Sequence, residues 1–418
     1  MFVNILLIDM YGNGLDMARV ISTSKENDVN RIVVMADRMC GNTWEQFGVE
    51  VIVKQRDVEG FSQFVVENKI DTVFNFDPYV AASGVVDAIN SMDITFFGTD
   101  QNFARSELDR LFFKSILRDA GVKSPTILSS GSAEELKSSA FDVVYPVVLK
   151  PSKSLVSPKI VRSPEEFERH LHKADRRIRE SSENCTWLVE EYIEEADAMS
   201  VSYVVGSGEY RLRMSSKIHF VEKSENNTVG ATSLIQPHPQ QHHHQKSIDR
   251  VLRAIADQGY CGFGFFQALI DKNGNFYVIE NNARPISCGA FSGIERDVMP
   301  LINAAINGGL SDITASDTYE EHLTDEAGNI DYYSQGVVVS QTATAIKLTR
   351  DQIEFDAGAW LLPFSLRTVE GGFLAEKLLP PSLLCSIGKS REEAESRMTA
   401  ALKRLTAIDG LEVGQYVG

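Results

Sequence analysis

The chain has 418 residues, 41 Lys+Arg against 58 Asp+Glu, a formal charge of -17 and 43% hydrophobic residues, enough length and apolar material for two or three domains with cores of their own. The acidic balance repels a phosphate backbone, and no basic cluster interleaved with aromatics offsets it, which excludes nucleic acid as a partner. No apolar run reaches the ~20 residues of a membrane span, the opening VNILLID lacks a basic lead-in and a cleavage site, and the 5 cysteines are scattered singly, so a cytoplasmic protein without membrane contact or disulfide framework is expected.

In chain order, VNILLID, RIVVMAD, EVIVK, TVFNF and ITFFG are short apolar runs separated by helical segments such as GFSQFVVENK and PYVAASGVVDAIN. That alternation predicts a parallel sheet covered on both faces, over residues 1–104. SELDRLFFKSILRDAGVKSP then predicts one amphipathic helix, with Leu108, Leu111, Phe112 and Ile116 on a single stripe. From Tyr145 the pattern changes to isolated strands and hairpins: YPVVLK, CTWLVEEYI, MSVSYVV, YRLRMS, the helix KSIDRVLRAIADQGY, then FGFFQALI and NFYVIEN. Within this stretch QPHPQQHHHQ, with His238 and His242 to His244, reads as a solvated loop and not as a metal site. After a polar stretch near residues 311–332, GVVVSQTATAIKL, LLPFSLRTVEG, LLCSIGKS and REEAESRMTAALKRLTA read as a small α+β unit of its own.

The chemistry concentrates in FFQALIDKNGNFYVIENNARP. Asn273-Gly274 predicts a type I′ two-residue turn with Lys272 and Asn275 as the last pair. Counting outward puts Gln267 opposite Glu280, and Asn282 falls on the same face. Three oxygen donors on one patch suit Mg²⁺ shared with phosphates, and Arg284 follows two positions later. A solvated hairpin face is the plain alternative, against which stand the apolar neighbours Phe265, Val278 and Ile279. Lys150, at the end of YPVVLK, would offer a phosphate a fixed point charge. In TWLVEEYIEEAD a carboxylate at a strand end can read an adenine edge, and an acid a turn further on can accept from a ribose; taken by itself the stretch reads equally as an acidic linker between strands.

Taken in order, YPVVLKPSKS, LVEEYIEEAD and YVIENNARP resemble the ATP-grasp superfamily, and the arrangement of the whole chain is similar to the phosphoribosylamine–glycine ligases within it. The resemblance implies a nucleotide-clasping α+β domain of two antiparallel-sheet lobes at 105–310, after the α/β domain at 1–104 and before a small α+β domain at 311–418. It implies an ADP-forming ligase of a small-molecule carboxylate and an amine in a biosynthetic pathway, using ATP and Mg²⁺, with Mn²⁺ as the substitute ion.

Carried onto this sequence, the resemblance gives Lys150 the α- and β-phosphates, and Glu190 with the backbone of Glu191, Tyr192 and Ile193 the adenine. Asp197 takes the ribose, Gln267, Glu280 and Asn282 the metal, and Arg284 the transferred phosphoryl group. Gln267 replaces an acid, as in the metal site of carbamoyl phosphate synthetase. Arg110 stands where the family has a phosphate-contacting lysine, and Lys114 is retained one turn later. The loop after Lys150, PSKSLVSPKIV, has no glycine, which leaves the hydroxyls of Ser152, Ser154 and Ser157 in place of backbone amides. The stretch SSKIHFVEKSENNTVGATS departs from the glycine ligases and implies other substrates, with Lys217 the catalytic candidate there and Lys223 beside it.

Two rival readings are a catalytically silent ATP-binding regulatory protein on the same scaffold and a nicotinamide-dependent oxidoreductase. The second rests on Asp9-Met10-Tyr11-Gly12-Asn13-Gly14 and Asp37, and it lacks a third glycine near Arg19 and Val20. A homodimer is the default for a chain of this size.

Overall fold

The computed structural model describes residues 3–8, 21, 29–36, 50–53, 61–92, 94–139, 143–153, 158–180, 185–206, 208–223, 228–237, 241–284, 333–341, 345–349, 359–362, 366–369, 372–376, 382–388, 391–408 and 411–413. Five strands, β1 (Val3–Ile8), β2 (Val29–Ala36), β3 (Glu50–Val53), β4 (Thr72–Asn75) and β5 (Thr95–Gly98), form the expected parallel sheet in the order β3-β2-β1-β4-β5. Ile5, Leu6, Leu7 and Ile8 are all buried, as consecutive residues must be when a sheet is covered on both faces. Between the strands run α1 (Phe61–Glu67), α2 (Pro78–Ala82) and α3 (Val85–Asn90). The last two replace the single helix expected over PYVAASGVVDAIN, because Gly84 adopts φ 87, a left-handed conformation that ends the run.

The amphipathic helix expected from Ser106 is likewise two, α4 (Gln101–Leu108) and α5 (Arg110–Asp119). Asp109 between them is extended, and its carboxylate accepts from the Phe112 N–H at 3.0 Å, ending one helix and capping the next. Glu107 and Arg110, three apart, thereby leave the pair toward different partners.

There follow β6 (Ile127–Gly131), α6 (Ala133–Ser139), β7 (Val147–Pro151), β8 (Lys159–Val161), α7 (Pro164–Glu180), β9 (Trp187–Glu191), β10 (Asp197–Gly206), β11 (Glu209–Lys223), β12 (Thr228–Pro237), α8 (Gln241–Ala256), β13 (Gly262–Ile270) and β14 (Phe276–Asn282). These strands make one antiparallel path, β14-β13-β10-β11-β12-β8-β7-β9-β6, in which β12 and β8 meet through the pair Thr228↔Lys159. Each half has its own core. Val147, Leu149, Phe167, Leu171 and Trp187 fill one, and Met199, Val201, Tyr203, Val251, Ile255 and Phe266 belong to the other. The histidine run is not a loop: α8 begins at Gln241, and His244 is buried and stacked on Phe276 at 5.2 Å. Burial holds its imidazole below the usual histidine pKa, with His243 adding to the effect.

The C-terminal elements are β15 (Tyr333–Gln341), β16 (Ala345–Leu348), β17 (Ala359–Leu362), β18 (Leu366–Val369), β19 (Gly372–Glu376), β20 (Ser382–Gly388), α9 (Arg391–Leu405) and β21 (Leu411–Val413). β16, β19 and β18 form a separate small sheet. β15, by contrast, pairs with β12 through Leu234↔Gln335 and Ile235↔Ser334 as well as with β20 and β21. These strands thus share the central sheet, whereas a self-contained unit was expected. Among the described residues no helix is long and apolar enough to cross a membrane.

Candidate active site

The hairpin of β13 and β14 places its donors where the sequence put them, by a different route. The turn is not type I′. Gly274 N–H donates to Asp271 O at 2.9 Å with Gly274 at φ 77, and the Asp271 carboxylate accepts from the backbone of Asn273 and Asn275. Pairing therefore starts at Ile270↔Phe276, one residue out of the expected register. A bulge between Gln267 and Ala268 then opposes one residue too many on β14 and restores Gln267↔Glu280, followed by Phe265↔Asn282. Gln267, Glu280 and Asn282 consequently share a face.

The Asn282 carbonyl accepts from Arg284 Nη2 at 3.0 Å, while its buried Nδ2 has no partner, an opening for an acceptor such as a phosphate oxygen or water. Among the described residues no group of three or more His, Cys, Asp or Glu could hold a metal. One carboxylate and two amides fit a hard cation that brings phosphate oxygens and water with it, as Mg²⁺ does. On β10, Ser200 lies opposite Gln267, and its fully buried hydroxyl also has no partner.

Lys150 and Glu190 are diagonal neighbours on β7 and β9, since Val148 opposes Glu190 and Lys150 opposes Leu188. Lys150 Nζ lies 2.8 Å from Glu190 Oε2, and Lys114 of α5 lies 3.2 Å from Oε1 while donating to Pro125 O at 2.7 Å. Lys150 and Glu190 are buried and the Lys114 side chain is only 10% exposed, so two ammonium groups share one carboxylate largely out of water. Burial pulls the Lys114 pKa down, Glu190 pulls it up, and Lys150 adds to the lowering.

Arg110 is also buried. Its Nη1 donates to Pro151 O at 2.7 Å and Lys153 O at 2.8 Å, its backbone N–H donates to Ser152 O, and its Nη2 lies 4.0 Å from Glu280. The expectation that this cation contacts phosphate is corrected to this extent: its Nη1 is occupied by the root of the loop after Lys150. Ser152 is similarly turned away, its hydroxyl 3.6 Å from Cys185 Sγ.

A residue that the sequence reading missed completes the site. Glu107, from α4, accepts from Arg284 Nε at 3.0 Å and from the Ala283 N–H at 2.8 Å. Burial raises its pKa against the lowering effect of Arg284 and Ala283. The signal was there: Glu107 lies four residues after Phe103, on a stripe that also holds buried Ala104, where an acid needs a reason.

Of the remaining candidates, Glu191 uses its carboxylate to hold Thr126, by the N–H at 2.7 Å and the hydroxyl at 2.9 Å. Tyr192, Ile193 and Asp197 are half-buried where β9 gives way to β10. Lys217 lies opposite Met199 on β10, and the β11 position in line with Ser200 and Gln267 is Ser216; Lys223 ends β11 opposite Thr228. Ser154, Ser157, the segment 9–14, Arg19, Val20, Asp37 and His238 lie outside the described residues.

This site lies in a stretch with known relatives. Residues 109–290 match the family described as carbamoyl-phosphate synthase L chain, ATP binding domain, and form an ATP-grasp domain. The phosphoribosylamine–glycine ligase of Fusobacterium nucleatum is 24% identical over 266 residues, which span 60% of this chain and 62% of that ligase, less than two thirds of its length. Among solved structures, the biotin carboxylase domain of Hydrogenobacter thermophilus 2-oxoglutarate carboxylase, a dimer in complex with MgADP, ADP and bicarbonate, superposes with a TM-score of 0.70 at 17% identity, covering 99% of this chain and 92% of that one. The L-amino acid ligase of Bacillus licheniformis superposes with a TM-score of 0.67 at 14% identity, covering 99% of both chains. These two likenesses are of fold.

Proposed function

We propose that the chain is an ATP-dependent, ADP-forming ligase that activates a small carboxylate, an amino acid among the candidates, as an acyl phosphate and joins it to an amine. The observation that carries this reading is the reach of Arg110. One arginine side chain spans from the strand end just past Lys150 to Glu280, which puts the strand that carries Lys150 and the oxygen face of the hairpin within one side chain's reach. The lysine cluster supports it further, because two ammonium groups around one carboxylate leave a unit of positive charge that an anion would neutralise.

In this scheme Lys150 and Lys114 fix the α- and β-phosphates. Glu190 offers adenine the lone pairs its lysines leave open, with the backbone of Glu191 to Ile193 beside it and Asp197 toward the ribose. Gln267, Glu280 and Asn282 hold Mg²⁺, or Mn²⁺ in its place. A divalent ion held there would supply positive charge against the phosphates. Arg284 steadies the phosphoryl group as a carboxylate oxygen attacks phosphorus and the bond to the bridging oxygen breaks, releasing ADP. The amine lone pair then attacks the acyl carbon, the C–O bond to phosphate breaks, and an amine proton leaves with phosphate or solvent. The scheme assigns no step to Lys217.

Hydroxylamine tests it without knowledge of the amine. With ATP, Mg²⁺ and pooled carboxylates it should trap the activated acid as a hydroxamate with matching ADP release, and Glu280→Gln should abolish both. Nucleotide binding that ignores divalent cations and survives Glu280→Gln would overturn the ligase. Cation-dependent binding without ADP release would select the silent ATP-binding alternative.

A further inference from the structure

Resting on that reading, we propose that Glu107 is a positioning residue: it holds the Arg284 guanidinium by its Nε side, so that the arginine acts on the terminal phosphoryl group instead of collapsing onto the metal-binding acid Glu280.

The geometry is specific. Glu107 Oε1 accepts from Arg284 Nε at 3.0 Å and Oε2 accepts from the Ala283 N–H at 2.8 Å. One carboxylate therefore fixes both the end of β14 and the side chain that follows it. The same edge of the guanidinium reaches Asn282 Oδ1 through Nη2 at 3.0 Å, and the guanidinium carbon lies over the Phe265 ring at 5.3 Å. Arginine has several rotatable bonds, and an untethered guanidinium four residues from the Glu280 carboxylate on the same hairpin would find that carboxylate. Glu107 is 8% exposed at its side chain, against 22% for Arg284. Its charge is thus removed from water and depends on these partners, which makes the contact costly to break and the arginine's placement stiff. Its source also matters. Glu107 comes from α4, three residues ahead of the Arg110 that binds the root of the loop after Lys150, so the segment Glu107–Arg110 sets both the arginine and the loop root against the hairpin.

A positioning role predicts a selective defect. The full chain is titrated with ADP and with a β,γ-imido analogue of ATP, each with Mg²⁺, alongside Arg284→Ala, Arg284→Lys, Glu107→Gln and the double variant Glu107→Gln/Arg284→Ala. Arg284→Ala should weaken the triphosphate analogue roughly tenfold relative to ADP, the scale of one charge-assisted hydrogen bond. Glu107→Gln should do the same through Arg284, and the double variant should be no worse than Arg284→Ala. Arg284→Lys keeps the charge and leaves Glu107 paired, which makes it the variant to rely on if Glu107→Gln folds poorly. A single ammonium held on Glu107 cannot also serve the phosphoryl group, so it too should lose the preference.

Equal weakening of ADP and the analogue by Glu107→Gln, additive effects in the double variant, or a preference retained within twofold by Arg284→Lys would each overturn the proposal. A wild type that binds neither nucleotide, or binds both without Mg²⁺, would bring down the ligase reading and this inference together, which separates that failure from a failure of Glu107 alone.

Discussion

Glu190 sits between two lysines with both oxygens engaged, and the fate of those lysines without it decides what the cluster is for. Replacing one partner of a buried ion pair leaves the other charge uncompensated, at a cost of about 3–5 kcal/mol. Glu190→Gln strands two ammonium groups together and should approach that cost at pH 7 in urea denaturation. Lys114→Met leaves a neutral Lys150–Glu190 pair and should cost far less. The pH dependence follows from Lys114, whose native pKa is held below the ordinary lysine value chiefly by burial. The unfolded chain then binds the extra proton more readily than the native one, so raising pH through the interval between the lowered value and the ordinary one favours the native state. Without Glu190 that lowering deepens, and the deficit of Glu190→Gln should shrink between pH 7 and pH 9.5. A deficit that is flat over that range, or larger for Lys114→Met, would mean that the cluster is not electrostatically strained.

The hairpin shows what elements add. Gly274 is at φ 77 with open space around the position a Cβ would take, whereas a Cβ on Gly262, at φ 147, would meet the Gly98 carbonyl carbon at 2.8 Å. Gly274→Ala should therefore cost only its left-handed backbone, about 1–2 kcal/mol. Gly262→Ala adds a backbone collision where β13 crosses the end of β5, for about 3–5 kcal/mol in total. Thermal denaturation should show the Gly262 variant lowered at least twice as far; equal losses would deny the close approach of the two sheets. The same hairpin marks how far the sequence could be read. Asn273-Gly274 announced a turn and the alternation announced a shared face, so Gln267, Glu280 and Asn282 were legible. The bulge that delivers their register was not, since nothing in QALID or VIENN fixes where an extra residue is accommodated. Lys114 and Glu190 are both plain in the sequence, but their meeting depends on how α5 packs on β9, and that is a tertiary fact. His244 was misread for another reason: it stands at the head of the helical stripe with Ile248, Val251 and Leu252, all buried, and the neighbouring prolines and glutamines disguised the spacing.

At the scale of the molecule, the parallel sheet and the central sheet lean on each other near the site. Phe97 of β5 meets Phe263 of β13 edge-on at 4.9 Å, and the Thr99 hydroxyl donates to the Ala283 carbonyl, next to Arg284. The C-terminal strands are tied in on the far side of the same sheet, where β15 adds to β12. Had they formed an independent unit, a chain ending at residue 310 would fold as before. Instead β12 would lose a strand partner and present unpaired N–H and C=O groups, a template for pairing with a second copy. The charge of -17 on the whole chain does not protect such an edge. Its repulsion is screened beyond about 10 Å at 0.1 M salt, while paired strands sit only about 4.8 Å apart. The fragment 1–310 should therefore associate with rising concentration in sedimentation velocity at 0.1 M salt and melt below the full chain. Adding the fragment 311–418 in trans should reverse the association by restoring the β12–β15 pairing. A fragment 1–310 that stays monomeric with the melting temperature of the full chain would show that the two parts are energetically separate, and the shared sheet would then carry no stability.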